Sequence, residues 1–214
     1  MKYIAFCMST IFLFSCSENK IVSKPPEQKP PDQKAPAKQV AYYMDIHDLE
    51  PGKVTLADVA AAHEKDLATQ DKYGVSFLKY WVDEQKGKVY CLSKSPDEAA
   101  VVATHKEAHG LIPATVYQVT DGPEAAMTGN KSMFIDVHKM KPGSFTAKDV
   151  ADAHEKDLAT ESKYKVNFVN YWVDEKEGVI MCLSEAPDSN AVIGTHKEAH
   201  GLLPAYVLRV KPGH

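Results

Sequence analysis

Residues 43–119 align without a gap on residues 134–210, with about 45 of the 77 positions identical. The run His63-Glu64-Lys65-Asp66-Leu67-Ala68-Thr69 returns unchanged at 154–160, Tyr80-Trp81-Val82-Asp83-Glu84 at 171–175, and Thr104 to Leu111 at 195–202. A gapless duplication is a strong constraint: whatever one copy folds into, the other must fold into as well, and each is available to cover what its twin leaves exposed. The copies occupy 41–120 and 133–211, and a Gly, Thr and Ala-rich segment over 121–132 joins them.

Within one copy the periodicities follow a single order. Tyr42 to His47 alternates as a strand. Thr55 to Lys72 places Leu56, Val59, Ala60, His63 and Leu67 at helical spacing behind a Thr55 cap with Asp58 three residues on. Val75 to Asp83 and Lys88 to Ser93 read as strands joined at Glu84-Gln85-Lys86-Gly87. Pro96 to His109 reads as a second helix, with proline in its first turn and Gly110 stopping it, and Ala114 to Val119 as a last strand.

The order βαββαβ predicts an α+β, ferredoxin-like unit: a four-stranded antiparallel sheet with two helices on one face. The second strand is apolar on both alternation sets, Val75, Phe77 and Trp81 against Leu78, Tyr80 and Val82, so neither sheet face is built for water. The two copies are therefore expected to pack sheet to sheet as a pseudo-dimeric α/β barrel within one monomeric chain.

The first fifteen residues set a compartment. Lys2, an apolar stretch from Ile4 to Phe14 too short to span a bilayer, and Ser15 before Cys16 read as a lipoprotein signal peptide over 1–15 with Cys16 diacylated. Residues 16–40, dense in proline, lysine and glutamine, read as a disordered tether. The membrane is thus expected as a partner through the lipid alone. Ser17 after the cysteine, where aspartate is absent, points to the outer rather than the inner membrane of a cell envelope. Cys91 and Cys182 sit in apolar strand runs and read as buried thiols rather than a disulfide or a metal thiolate.

Formal net charge is −4, and Arg209 is the sole arginine, so the guanidinium forks that read nucleic acid are missing. Histidine is abundant instead. Eight of the nine fall at matching places, His47, His63, His105 and His109 against His138, His154, His196 and His200. Imidazole is a common ligand for late first-row divalent ions.

His105 and His109, four apart on a helix, are spaced to chelate one ion, and so are His196 and His200. Lys106 stands where a zinc protease carries its glutamate, which argues against that chemistry. Asp45 and His47, with Asp136 and His138 in the second copy, form another donor pair on one strand face. Alternation gives Met44 and Ile46 to the helix side and Asp45 and His47 to the opposite side, so one joint site and two separate sites both stay open. His63 shares the stripe of Val59 and Leu67 and reads as a core histidine.

Taken in order, Met44-Asp45-Ile46-His47, the helix through His63 and Asp66, Tyr80 to Glu84, Cys91-Leu92 and His105 to Leu111 resemble the small nickel-binding proteins catalogued as domain of unknown function 4242, as do their counterparts in the second copy. The resemblance implies a ferredoxin-like fold, association through the sheet and nickel bound by histidines. The residues alone say only a late divalent metal, copper and zinc included. Together these make an envelope-anchored metal-binding protein the expected function. The alternatives are a small-molecule or haem-handling enzyme with Asp45, His47, Tyr80 and Cys91 lining a cavity between the sheets, or a non-catalytic interaction module.

Overall fold

The computed structural model describes residues 39–214. The expected leader, the lipidated Cys16 and all but the last two positions of the tether lie outside the described residues. Thirteen elements follow in order: β1 (Ala41–Asp48), α1 (Leu56–Thr69), a 3-10 turn (Gln70–Tyr73), β2 (Ser76–Asp83), β3 (Lys88–Ser95), α2 (Glu98–Ala108), β4 (Thr115–Asp121), β5 (Ser132–Lys139), α3 (Ala147–Tyr164), β6 (Asn167–Asp174), β7 (Val179–Ala186), α4 (Ser189–Ala199) and β8 (Tyr206–Gly213). Each copy is βαββαβ, as its periodicity predicts. No helix among the described residues is long and apolar enough to cross a membrane.

The helix ends have local causes. The Thr55 hydroxyl accepts from the Asp58 N–H at 3.2 Å and the Asp58 carboxylate accepts from the Thr55 N–H at 3.0 Å, a reciprocal capping box. Helix α2 starts later than expected. Asp97, not Pro96, is its cap, accepting from the Ala100 N–H at 2.8 Å, because a side-chain acceptor satisfies an otherwise unpaired N–H and proline does not. Gly110 adopts a left-handed φ of 81° and returns its N–H to the His105 carbonyl at 3.0 Å, closing the helix as its glycine predicts.

All strands pair antiparallel in one closed barrel of order β1-β3-β2-β8-β5-β7-β6-β4. The two sheets meet edge to edge at pseudo-equivalent seams, where Tyr80–Val82 pair with Lys211–Gly213 and Thr120–Asp121 pair with Val173 and Trp172. Glycine is required at each seam: a Cβ on Gly213 would lie 2.1 Å from the Tyr80 ring, and one on Gly122 2.6 Å from that of Tyr171. The joining segment is pinned as well, since the buried Glu185 carboxylate accepts the Thr128 and Gly129 N–H groups at 2.6 Å each.

The barrel interior is a shared apolar core that includes Met44, Tyr90, Ile135 and Met181, with Trp81 and Trp172 in contact at a 5.0 Å ring separation. Removing the Trp172 side chain, 1% exposed, is expected to cost about 3–5 kcal/mol, read as a lower midpoint in equilibrium denaturation.

Two face assignments are corrected. Met44 and Ile46 belong to the barrel interior, not the helix side, so Asp45 and His47 face the helices. In β2 the register shifts between Phe77 and Lys79, and this bulge puts Phe77, Tyr80 and Val82 on the helix side with Leu78 and Trp81 inside the barrel. Tyr80 and Cys91 consequently pack under α1. The enclosed cavity proposed for Asp45, His47, Tyr80 and Cys91 does not form, because those side chains point out of the barrel and apolar ones fill it.

Candidate metal centre

Three elements meet at the helix side of each sheet. In the first copy β1 brings Asp45 and His47, α1 brings Asp66, and α2 with its C-terminal cap brings His105 and His109. Asp45 is fully buried, with His105 1%, Asp66 3% and His47 5% exposed. The second copy repeats this with Asp136 0%, His196 1%, Asp157 3% and His138 4% exposed, and with His200 at the equivalent cap. One connected cluster per copy therefore forms, with two donor groups that share one histidine, Asp45–His47–His105 and Asp66–His105–His109 in the first copy. His105 and His196, though near the ends of their helices, are turned inward and buried rather than solvated.

The His105 ring divides each cluster into two layers. In the outer layer its Nδ1 lies 3.0 Å from Asp66 Oδ1, and His109 Nε2 lies 3.2 Å from Asp66 Oδ2. The Leu111 N–H donates to His109 Nδ1 at 3.1 Å, so in the neutral ring the His109 proton sits on Nε2, facing Asp66. Asp66 thus accepts an N–H from each histidine, with His105 Nδ1 and His109 Nε2 themselves 3.1 Å apart. Helix-pair chelation by His105 and His109 would require the His109 Nε2 lone pair that this tautomer lacks. The second copy repeats the pattern, with His196 Nδ1 at 3.0 Å and His200 Nε2 at 3.2 Å from Asp157, and the Leu202 N–H on His200 Nδ1 at 3.1 Å.

The inner layer is different. His47 Nε2 and His105 Nε2 lie 3.1 and 3.3 Å from Asp45 Oδ1, ion-pair distances. Their directions are poor for hydrogen bonding, and both Asp45 oxygens and His105 Nε2 are buried without a hydrogen-bond partner. In the second copy His138 Nε2 reaches Asp136 Oδ2 at 3.1 Å, His196 Nε2 is hydrogen-bonded to the same oxygen at 3.1 Å, and Asp136 Oδ1 is left unpartnered. Buried polar atoms without partners are costly, and here they face one another across a few ångströms. Bonds of about 2.1 Å to one ion separate neighbouring donors by about 3.0 Å at right angles and about 3.4 Å at the tetrahedral angle. The 3.1–3.3 Å edges lie within that span. Asp66 then holds His105 in the tautomer a ligand needs, the carboxylate–histidine–metal arrangement.

Electrostatics agree. Burial alone would raise the Asp45 carboxyl, but His105 and His47 outweigh it and hold it below the usual carboxylate range; Asp66 is lowered against its own burial by His105 and His109. Burial opposes charge on His105, yet Asp45 and Asp66 on its two sides raise it to about 9, and Asp136 and Asp157 raise His196 to about 10. Burial pushes the Cys91 and Cys182 thiols well up, with Asp45 and Asp136 adding to the effect. Both cysteines are free and buried, as expected from their strands, and no disulfide links them.

The sequence reading missed Asp66 and Asp157. The available signal was position: Asp66 lies three residues after His63 and seven after Val59, on the stripe that faces the sheet, whereas Leu67 is 40% exposed. A carboxylate on a core-facing stripe needs a partner. His63 matches its reading as a core histidine, packed 4.8 Å from the Tyr80 ring and lowered by burial.

A family described as nickel responsive protein, SCO4226-like, matches residues 43–119 and again 134–210. The chain belongs to that family. The motifs at Asp45, His47 and His105 to Leu111 fall within the first match and their counterparts within the second. Among solved structures the chain is similar to SCO4226 from Streptomyces coelicolor A3(2), at 36% identity over 36% of this chain and 93% of that one, TM-score 0.34. It also aligns with chlorite dismutase from Candidatus Nitrospira defluvii, at 8% identity over 81% of this chain and 90% of that one, TM-score 0.45. A heme-binding protein from Thermus thermophilus aligns at 12% identity over 80% of this chain and 90% of that one, TM-score 0.39. No curated protein matches the chain.

Proposed function

We propose that this SCO4226-like chain binds a late divalent metal, nickel first, at two equivalent inner sites, Asp45–His47–His105 and Asp136–His138–His196, and that a lipid on Cys16 keeps the bound metal at the cell envelope. The observation that carries the metal reading is the inner layer: in both copies a fully buried carboxylate faces two imidazole Nε2 atoms at 3.1–3.3 Å, with both oxygens of Asp45 and Oδ1 of Asp136 unpartnered. With His105 protonated, Asp45 and Asp66 leave the first cluster one negative charge in excess, so a divalent cation that replaces the proton neutralises it. An apolar cavity of about 70 Å³ lies beside the site, with walls that include His47, Asp66, Cys91, His105 and the exposed Leu111. Nickel as the ion rests on the family, because imidazole and carboxylate by themselves bind copper more tightly. The anchor and an outer-membrane address rest on the leader sequence, and a role in holding or buffering metal follows from joining the two.

Calorimetric titration of nickel, copper and zinc into the metal-free full chain tests the reading. Two equivalents of saturable nickel binding per chain are expected, and absence of binding by any of the three ions sinks it. The anchor is tested separately: Cys16→Ser is expected to move the protein from the membrane fraction to the soluble one, and unchanged fractionation rejects the lipid.

A further inference from the structure

The second inner site has a cysteine as a fourth donor, while the first group of ligand atoms this close is Asp45, His47 and His105 alone, with Cys91 next to Asp45 in the ladder. In the second copy the ligand atoms of Asp136, His138, His196 and Cys182 all lie within 4.8 Å of one another, and all four residues are buried. Cys182 pairs with Asp136 across the β5–β7 ladder, and Cys91 pairs with Asp45 across β1–β3, so the same backbone register places each thiol next to its carboxylate. Cys91 also lies in the wall of the cavity that contains His47 and His105, and Cys182 in that of its twin with His138 and His196. Asp136 Oδ1, buried and without a hydrogen-bond partner, is a further free oxygen donor in this corner.

We infer that Cys182, and Cys91 at the equivalent place in the first copy, supply a thiolate as a further ligand to the metal in the inner site. The inference rests on the metal reading above. Three N and O donors leave a late divalent ion short of four ligands, and the thiol is the buried side chain that stands ready to fill the gap. On binding, the S–H bond is replaced by a sulfur–metal bond, the sulfur keeps the electron pair and the proton leaves to solvent; nothing is oxidised. A thiolate also sharpens the preference that imidazole already gives, since soft sulfur selects further against the hard ions Mg, Ca and Mn. The reading of these cysteines as plain core residues accounts for their burial but not for their register against Asp45 and Asp136.

The test uses the full chain with Cys7 and Cys16 changed to serine, which leaves Cys91 and Cys182 as the remaining thiols, titrated with nickel and with cobalt as an optical probe. A sulfur-to-metal charge-transfer band in the near ultraviolet is expected to grow with bound metal, to fall by about half in Cys182→Ser, and to vanish in the double variant while histidine-dependent metal binding persists. X-ray absorption at the nickel edge of the cysteine-containing chain needs no site variant and is expected to show a sulfur neighbour. Metal bound without the band and without sulfur scattering overturns the inference and leaves the metal reading standing. A band that survives in the double variant also overturns it. Failure to bind metal at all removes both. Should a serine variant fold poorly, Cys182→Ala and Cys91→Ala replace it, with circular dichroism as the control.

Discussion

Replacing His105 with alanine leaves a chain that binds one metal ion in place of two. His105 is the residue on which both layers of the first cluster depend, offering Nε2 to the inner site and Nδ1 to Asp66. The second copy has its own complete set, so His196→Ala is expected to do the same there, and the double variant to lose saturable binding. Asp66→Asn should weaken the first site by about 10–100-fold without removing it, the usual effect of losing the carboxylate that orients a ligating histidine. The contrast between His47→Ala and His109→Ala decides which layer holds the ion. The inner reading expects loss of the site for His47→Ala and an outer-partner effect for His109→Ala. Helix-pair chelation expects the reverse. Titration calorimetry of each variant, made in one copy with the other intact, supplies an internal reference on the same molecule.

The barrel and the site differ in how far the sequence determined them. Element order was legible because capping and periodicity are local: Thr55 with Asp58 and the left-handed Gly110 each act within a few residues. The pairing of two apolar sheet faces was legible too, since a strand apolar on both sides needs cover on both. Face polarity was not, and the cause is specific. Met44 and Ile46 are as apolar as any helix-facing pair, so alternation cannot say which face they take when both faces are buried. The bulge at Phe77/Lys79 then shifts β2 out of strict alternation, which no period-2 reading registers. With the faces inverted, Asp45 and His47 were assigned away from α2, and the single cluster they form with His105 stayed one option of two. Asp66 was hidden for a different reason. Apolar periodicity marks only the apolar residues of its helix, and a buried carboxylate on that stripe looks like a solvated one until its histidine partners are in place. The candidate donors on β1 and α2 were named from type and spacing alone. Their division into an inner and an outer layer depends on the His109 tautomer, which is set by a Leu111 N–H that only the three-dimensional turn supplies.

Metal affinity is expected to climb steeply with pH, by at least about tenfold per unit between neutrality and pH 9, because binding at the inner site must expel the proton that Asp45 and Asp66 hold on His105. That proton is retained to about 9 in the first copy and about 10 on His196 in the second, so at pH 7 both sites begin from the protonated state. The metal-free protein should show the opposite slope. A histidine raised above its unfolded value of 6.5 contributes stability that is complete below pH 6.5 and is lost as pH rises through about 9 and about 10. His63 and His154, lowered by burial, contribute stability that is present above pH 6.5 and is lost as pH falls through their folded values. Asp45 and Asp66, also lowered, add a further loss at acid pH, below the ordinary carboxylate value of 3.8. The melting temperature of the metal-free chain is therefore expected to peak near pH 6.5 and decline toward pH 10, while nickel raises it by an increment that grows with pH. Calorimetry in two buffers of different ionisation enthalpy counts the protons directly. About one released per site near pH 7 identifies His105 and His196 as the source, and a second proton is the thiol's. No proton release, or nickel binding independent of pH over this range, would mean that the ion does not displace the carboxylate-held proton and that the inner layer is not where it binds.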